Sequence, residues 1–173
     1  PASSVKGALA HRTAYHYNKL EGFFADNKPI EELEDYGGKG KEAVKILFGS
    51  KGNSEGKDKH RGRILFSDII KERKKSSEAK VLNHVKIDRF TGGAMDGVLF
   101  SEEILYVSGE SFDMDLLLHK QETEGEHVIP AFEAALIDLC KGFLPLGGGV
   151  NKGFGTFIGS LTKDGETIYA YDK

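Results

Sequence analysis

The amphipathic segment "HVIPAFEAALIDLCKG" runs into "LPLGGGVNKGFGTFIGSL", a loop that holds Gly147, Gly148, Gly149, Gly153 and Gly155. Glycine loses more backbone freedom on ordering than any other residue, so a loop this rich in it must be held in one shape for a purpose. Its context narrows that purpose. A phosphate-binding P-loop needs Ser or Thr after its lysine and a helix beyond, whereas Lys152 precedes Gly153 and a strand-like run. A dinucleotide fingerprint follows a strand and opens a helix; this loop follows a helix. What is left is a backbone that a ligand can approach closely, with successive amides able to cup an anion. Asn151 adds a donor and an acceptor, Lys152 a charge and Phe154 a stacking face. That set suits RNA, whose phosphates position the chain and whose bases stack. The same residues also fit a tight helix-to-strand crossover with Phe154 in the core, and both readings stand at this level.

The rest of the chain supplies a frame. Val5, Ala8, Leu9, Arg12, Thr13 and His16 recur at helical spacing, which predicts a helix from Ser3 or Ser4, either of which can cap it, to about Leu20. Gly22 and "ADNKP" end it, and a shorter helix is expected over Glu42–Phe48. "RILFSDII" reads as a strand. The alternating "VLNHVKIDRF", the turn formers "TGGAMDG" and the extended "VLFSEEILYVS" predict a long hairpin arm around 81–107. "SFDMDLLLHK" reads as a further strand with Phe112, Met114, Leu116 and Leu118 on one face. In the last helix Ile129, Phe132, Leu136, Leu139 and Cys140 form the expected apolar stripe, with Gly142 as its stop. A strand near 156–161 follows, then a hairpin turning at Asp164 and Gly165.

The stretches around 49–62 and 71–80 are polar insertions with little to bury, and "SKGNSEGKDKHRG" within the first reads as mobile. The resulting order is helix, strand, hairpin arm, strand, helix, glycine loop, strand. One more strand in front of Pro1 would complete βαββαβ, a ferredoxin-like, RNA-recognition-type α+β fold. Because the chain opens on Pro1 rather than Met, an upstream segment carrying that first strand is expected. On this reading residues 1–173 form a single domain.

Composition removes several classes. The single Cys140 leaves no internal disulfide and no multi-cysteine zinc site. His11 and His16 are five apart, off the helical metal-pair spacing, so no metal site is expected, and no cofactor is evident. No apolar run reaches the roughly 18–20 residues of a membrane span, and no basic-then-apolar leader opens the chain; a cytoplasmic protein without a membrane partner is expected. The formal charge of −3 is unevenly spread: residues 57–75 carry eight Lys/Arg against three acids, and residues 102–126 eight acids against one base. Either one basic face meets a polyanion and an acidic face turns elsewhere, or both are solvated surfaces.

Several segments together resemble one family. "PASSVKGALAHR" is similar to the Pro-x-Ser-Ser-x-Lys-Gly helix start of the CRISPR-associated RAMP superfamily, repeat-associated proteins built on ferredoxin-like RNA-recognition folds. "HVKIDRFTGGAMDGVLFSEE" resembles their hairpin thumb, "LPLGGGVNKGFGTF" their glycine-rich loop between last helix and last strand, and "RGRILFSD" their second strand. The likeness is greatest to the repeated backbone subunits of type III effector complexes, whose copies stack along a guide RNA while each thumb pushes between guide and target nucleotides.

The resemblance implies guide RNA, complementary target RNA, further copies of the chain and other CRISPR effector subunits as partners. It assigns Ser4, Lys6 and Arg12 to guide phosphates, and the amides of Gly147, Gly148 and Gly149 with Asn151 and Lys152 to the RNA backbone. At the thumb it assigns Lys86, Arg89, Phe90 and Thr91, with Phe90 as a wedge or stacking surface; Phe154 serves as the stacking face of the glycine loop. Local alternatives remain: Ser4 as a cap, Arg89 paired with Asp88 or Glu102, Phe90 in a core. Target-cleaving members carry an aspartate on the loop after the first strand. The matching segment would precede Pro1, and Asp26, Asp88 and Asp96 do not occupy that position. Whether the subunit cuts RNA, with a divalent metal as the cofactor for cleavage, therefore stays open. Two other functions are compatible with the same residues: a guide-processing endoribonuclease using His11 or His16 as general base, and a ferredoxin-like module that binds an anion or a protein partner and no RNA.

Overall fold

The computed structural model describes residues 2–24, 26, 28–37, 42–52, 59–70, 78–106, 111–120 and 125–171. In chain order its elements are α1 (Ala2–Leu20), α2 (Ile30–Gly37), α3 (Glu42–Phe48), β1 (Gly49–Lys51), β2 (Lys59–Arg61), β3 (Ile64–Phe66), β4 (Glu78–Ile87), β5 (Ala94–Tyr106), β6 (Leu116–Leu118), α4 (Val128–Cys140), a 3-10 turn (Val150–Lys152), β7 (Leu161–Lys163) and β8 (Glu166–Tyr169). Helices and antiparallel strands share the chain, so its class is α+β. Two compact units emerge: Pro1–Asp68 with Met114–Lys173, and Ile69–Asp113.

In the first unit α1 and α4 pack on each other, because both carry an apolar seam at helical spacing. On α1 the seam is Leu9, Thr13 and Tyr17; on α4 it is Val128, Ala131, Phe132, Ala135 and Leu136, all buried. The α4 seam corrects the expected stripe. Leu139 and Cys140 are only half-buried, because the small Ala131 and Ala135 let the helices approach closely and so set which face turns inward. Phe48 of α3 closes the core, with its ring 5.9 Å from Phe132 edge-to-face and 6.3 Å from Phe66. Both long helices end by the same glycine closure. Phe23 donates to the Asn18 carbonyl and Gly22 to Lys19; Phe143 donates to Asp138 and Gly142 to Leu139. At the other end α1 begins at Ala2, so Ser3 and Ser4 stand inside its first turn.

Strands β3 and β6 pair antiparallel, with Ile64 opposite Leu118 and Phe66 opposite Leu116. Phe112 and Met114 precede the ladder, so the predicted strand is shorter than its alternating pattern. The strand expected near 156–161 forms ladder only from Leu161, which opens β7. Residues 156–160 have no strand beside them among the described residues; the Gly159 amide donates to the Cys140 carbonyl. Among the described residues the strands accordingly form four two-stranded ladders: β1–β2, β3–β6, β4–β5 and β7–β8. The β7–β8 turn is Asp164-Gly165 as expected, with φ of 51° and 89°, the doubly left-handed geometry that matches strand twist.

Three elements depart from the sequence expectation, α2, β1 and β2. Helix α2 starts directly behind Pro29 with Glu31 and Glu32 in its first turn. Strands β1 and β2 form a small hairpin inside the expected polar insertion, whose residues 53–58 lie outside the described ones, as do residues 71–77 of the second insertion.

Thr13 is fully buried in the α1–α4 seam, and its hydroxyl has no hydrogen-bond partner among the described residues. A buried unpaired hydroxyl carries a desolvation penalty that an isosteric methyl avoids. Thr13→Val is therefore expected to stabilise the fold by about 1 kcal/mol, read as a higher midpoint in chemical denaturation.

Candidate nucleic-acid interface

The glycine loop is built around the 3-10 turn. Gly149 (φ 72°) and Gly153 (φ 84°) flank it, both in the left-handed region. The Gly149 carbonyl accepts from the Lys152 amide at 2.8 Å and from the Phe154 amide at 3.3 Å, and the Gly153 amide donates to Val150 at 3.0 Å. At the base, Leu146 donates to the Gly155 carbonyl at 2.9 Å. The two chain segments cross there so closely that a Cβ at Gly155 would lie 1.9 Å from the Leu146 carbonyl oxygen. The Phe154 ring lies on Gly149, where a Cβ would meet it at 2.6 Å. Phe154 is half-buried by this contact and is not part of the hydrophobic core.

These bonds use the amides of Leu146, Lys152, Gly153 and Phe154. Those of Gly147, Gly148 and Gly149 donate to no acceptor among the described residues. No neighbouring atom lies within 4 Å of a Cβ built on Gly147 or Gly148. A run of unspent amides beside the exposed Asn151 and Lys152 is a fixed array of donors, able to receive an anion without reorganising.

On α1, Ser4 is exposed and Lys6 half-buried. At about 100° per residue, Lys6 sits about 160° from Ser4 and about 120° from Arg12 around the helix, so the three do not share one face. Arg12 turns toward α4, where its Nε donates to Asp138 Oδ2 at 2.5 Å. His16 Nε2 meets the same oxygen at 2.7 Å, and the Arg12 guanidinium also lies 4.8 Å from the centre of the Tyr15 ring. Burial alone would raise the Asp138 carboxyl pKa; hydrogen bonds from His16 and Arg12, with their charge, outweigh it and hold the carboxyl below its ordinary value. Asp138 and Tyr15 were not among the residues singled out from sequence. Only the shared helical face of Arg12 and His16, one turn apart, hinted at a common partner. Burial pushes the Cys140 thiol up, away from the thiolate needed for reactivity.

Lys86, Arg89, Phe90 and Thr91, expected to act as a thumb, belong to the second unit. Strands β4 and β5 pair from Glu78–Tyr106 to Ile87–Ala94, with a register shift between Val85 and Ile87. At the tip the Asp88 carboxylate accepts from the Phe90 amide at 2.8 Å, the Asp88 amide donates to Gly93, and Thr91 Oγ1 accepts from the Gly93 amide. Asp88 and Thr91 therefore shape the turn. Phe90 is 99% exposed, so it is not a core residue. Arg89 has no ion pair among the described residues, since Asp88 is engaged at the turn and Glu102 lies 3.3 Å from His84 Nε2. That His84 contact is off line for a hydrogen bond, and the His84 ring stacks on Phe100 at 4.9 Å.

Among the described residues no helix is long and apolar enough to cross a membrane. No curated protein matches the chain. The family model of the RAMP superfamily matches residues 1–158, a span that takes in α1, the β4–β5 hairpin and the glycine loop; the chain belongs to the RAMP superfamily, CRISPR-associated proteins that work in RNA–protein complexes.

Proposed function

We propose that the chain is a guide-RNA-binding backbone subunit of a type III CRISPR interference ribonucleoprotein, positioning guide and target RNA for target cleavage. The observation that carries this reading is the glycine loop: three successive glycine amides left unspent, beside an exposed lysine, next to a turn flanked by left-handed glycines. Gly147, Gly148, Gly149, Asn151 and Lys152 hold guide backbone, and Phe154 stiffens the loop while offering its outer edge to a base. Ser4 and Lys6 add phosphate contacts from α1. Arg12 contributes through the guanidinium nitrogens that Asp138 does not take. At the thumb tip, Phe90 wedges against bases while Lys86, Arg89 and Thr91 meet the backbone. Base pairing reads the target and the protein reads backbone shape. The partners are guide and target RNA, copies of this chain and other effector subunits, in the cytoplasm.

Phosphate contacts carry no sequence information. Lys6→Ala and Lys152→Ala are each expected to weaken single-stranded RNA binding equally for unrelated sequences. Each should flatten the dependence of log affinity on log salt by about 0.7 per lost phosphate. Titrations at several salt concentrations read both quantities, and a sequence-selective loss would contradict the proposed roles.

A further inference from the structure

A second cationic surface is lined by no residue of the glycine loop or of α1. An open groove of about 380 Å³ is lined by Glu42, Lys45 and Ile46 of α3 and by His60, Arg61 and Arg63. The backbone builds it. A Cβ on Gly62 would lie 2.5 Å from the Phe48 carbonyl carbon, and one on Gly49 2.7 Å from the Gly62 nitrogen. The Arg63 amide donates to the Leu47 carbonyl at 2.9 Å. Residues 60–63 are thereby pressed against the end of α3, and the Lys45 stem is brought beside His60, Arg61 and Arg63.

Among the described lining residues Lys45, Arg61 and Arg63 stand with one carboxylate, that of Glu42, which lies 3.5 Å from the Tyr17 hydroxyl. Burial and the nearby Glu21 and Glu42 push the Tyr17 hydroxyl up to about 12, so it keeps its proton and turns a donor toward Glu42. The adjoining ladder sets Lys51 directly opposite Lys59, a like-charge cross-strand pair that destabilises a hairpin. A bound polyanion offsets such a concentration of like charge. Ile46 and the His60 imidazole add an apolar wall of the kind a ribose or base packs on.

We infer that the groove between α3 and residues 60–63 binds phosphates of single-stranded RNA, with Lys45 and Arg61 as its principal cations, as a contact separate from the glycine loop. This inference rests on the RNA-binding function proposed above. Both side chains are exposed, so their replacement leaves the core intact.

The test compares the wild-type chain with Lys45→Glu/Arg61→Glu, Lys45→Ala/Arg61→Ala and Lys152→Ala. Binding of a short unstructured single-stranded RNA is measured by fluorescence anisotropy across a salt series, and thermal unfolding checks each fold. The alanine pair is expected to weaken binding about tenfold and to flatten the salt slope by about 1.4, two phosphates at about 0.7 each. The charge-reversed pair should bind more weakly still. If Lys152→Ala weakens binding while both groove pairs retain wild-type affinity and slope, the groove is not an RNA site, although the loop reading survives; an acidic protein partner then becomes its fitting occupant. A wild-type chain that binds no RNA at low salt overturns both.

Discussion

Replacing Gly155 by alanine is expected to cost about 3 kcal/mol or more, combining left-handed strain with a backbone clash, and to lower the melting temperature by roughly 6–12 °C. Two causes act together. Gly155 has φ of +71°, a conformation that an L side chain rarely adopts, and its Cβ would lie 1.9 Å from the Leu146 carbonyl oxygen. The obstacle is main chain, so no side-chain rotation relieves it. The crossing must open, which breaks the hydrogen bond from Leu146 to Gly155 at the base of the loop. RNA binding should fall with it, because the unspent amides of Gly147, Gly148 and Gly149 keep their directions only while that base is closed. Gly148→Ala is the matched control: nothing lies within 4 Å of its Cβ and its φ is not left-handed, so stability should be unchanged within about 0.5 kcal/mol. Calorimetry of the two variants separates loop geometry from a general intolerance of side chains.

The second large effect is expected at Asp138. Its carboxylate, 13% exposed, holds Arg12 (30%) and His16 (15%) on one oxygen and so fastens α1 to α4. Asp138→Ala leaves a guanidinium and an imidazole without their acceptor. A fully buried pair broken in this way costs 3–5 kcal/mol, and partial exposure of Arg12 reduces the expected loss to about 2–3 kcal/mol. The pH dependence has a definite sign. Because the folded carboxyl titrates below its ordinary value, the folded state binds a proton less readily than the unfolded state. The stabilisation is therefore complete above the ordinary carboxylate pKa and is lost as pH falls through the lower folded value. Chemical denaturation of wild type and Asp138→Ala across that acid range should give a stability difference that shrinks on acidification. A difference independent of pH would mean that Asp138 acts through packing alone.

Local patterning made much of the fold legible. Helices α1 and α3, the thumb hairpin, α4 with its Gly142 closure and the Asp164-Gly165 turn all follow from periodicity and turn chemistry within short windows. The α4 seam was misjudged in part, because hydrophobicity ranks Leu139 and Cys140 above Ala131 and Ala135, whereas close helix packing favours the small residues. Helix α2 escaped notice although Pro29 followed by two glutamates is a helix-start signal; its short length and polarity resembled a loop.

At the interface, the glycines and Lys152 could be singled out from sequence, but which amides remain unspent depends on the fold. The partnership of Arg12 with Asp138 spans 126 positions, beyond any local pattern. The groove beside α3 was half visible in the lysine- and arginine-rich run from Lys57 to Lys75. Lys45 joins it only because Gly49 and Gly62 let the backbone cross.

The most direct test of a guide-binding glycine loop is the RNA that accompanies the chain when it is purified natively from its host without nuclease, at low salt, and sequenced. The expected result is a narrow length class carrying CRISPR repeat sequence at one end, retained by wild type and depleted in a Lys6→Ala/Lys152→Ala variant that folds normally. A wild-type chain recovered without RNA, or with RNA of random sequence and length that the double variant retains equally, would contradict it.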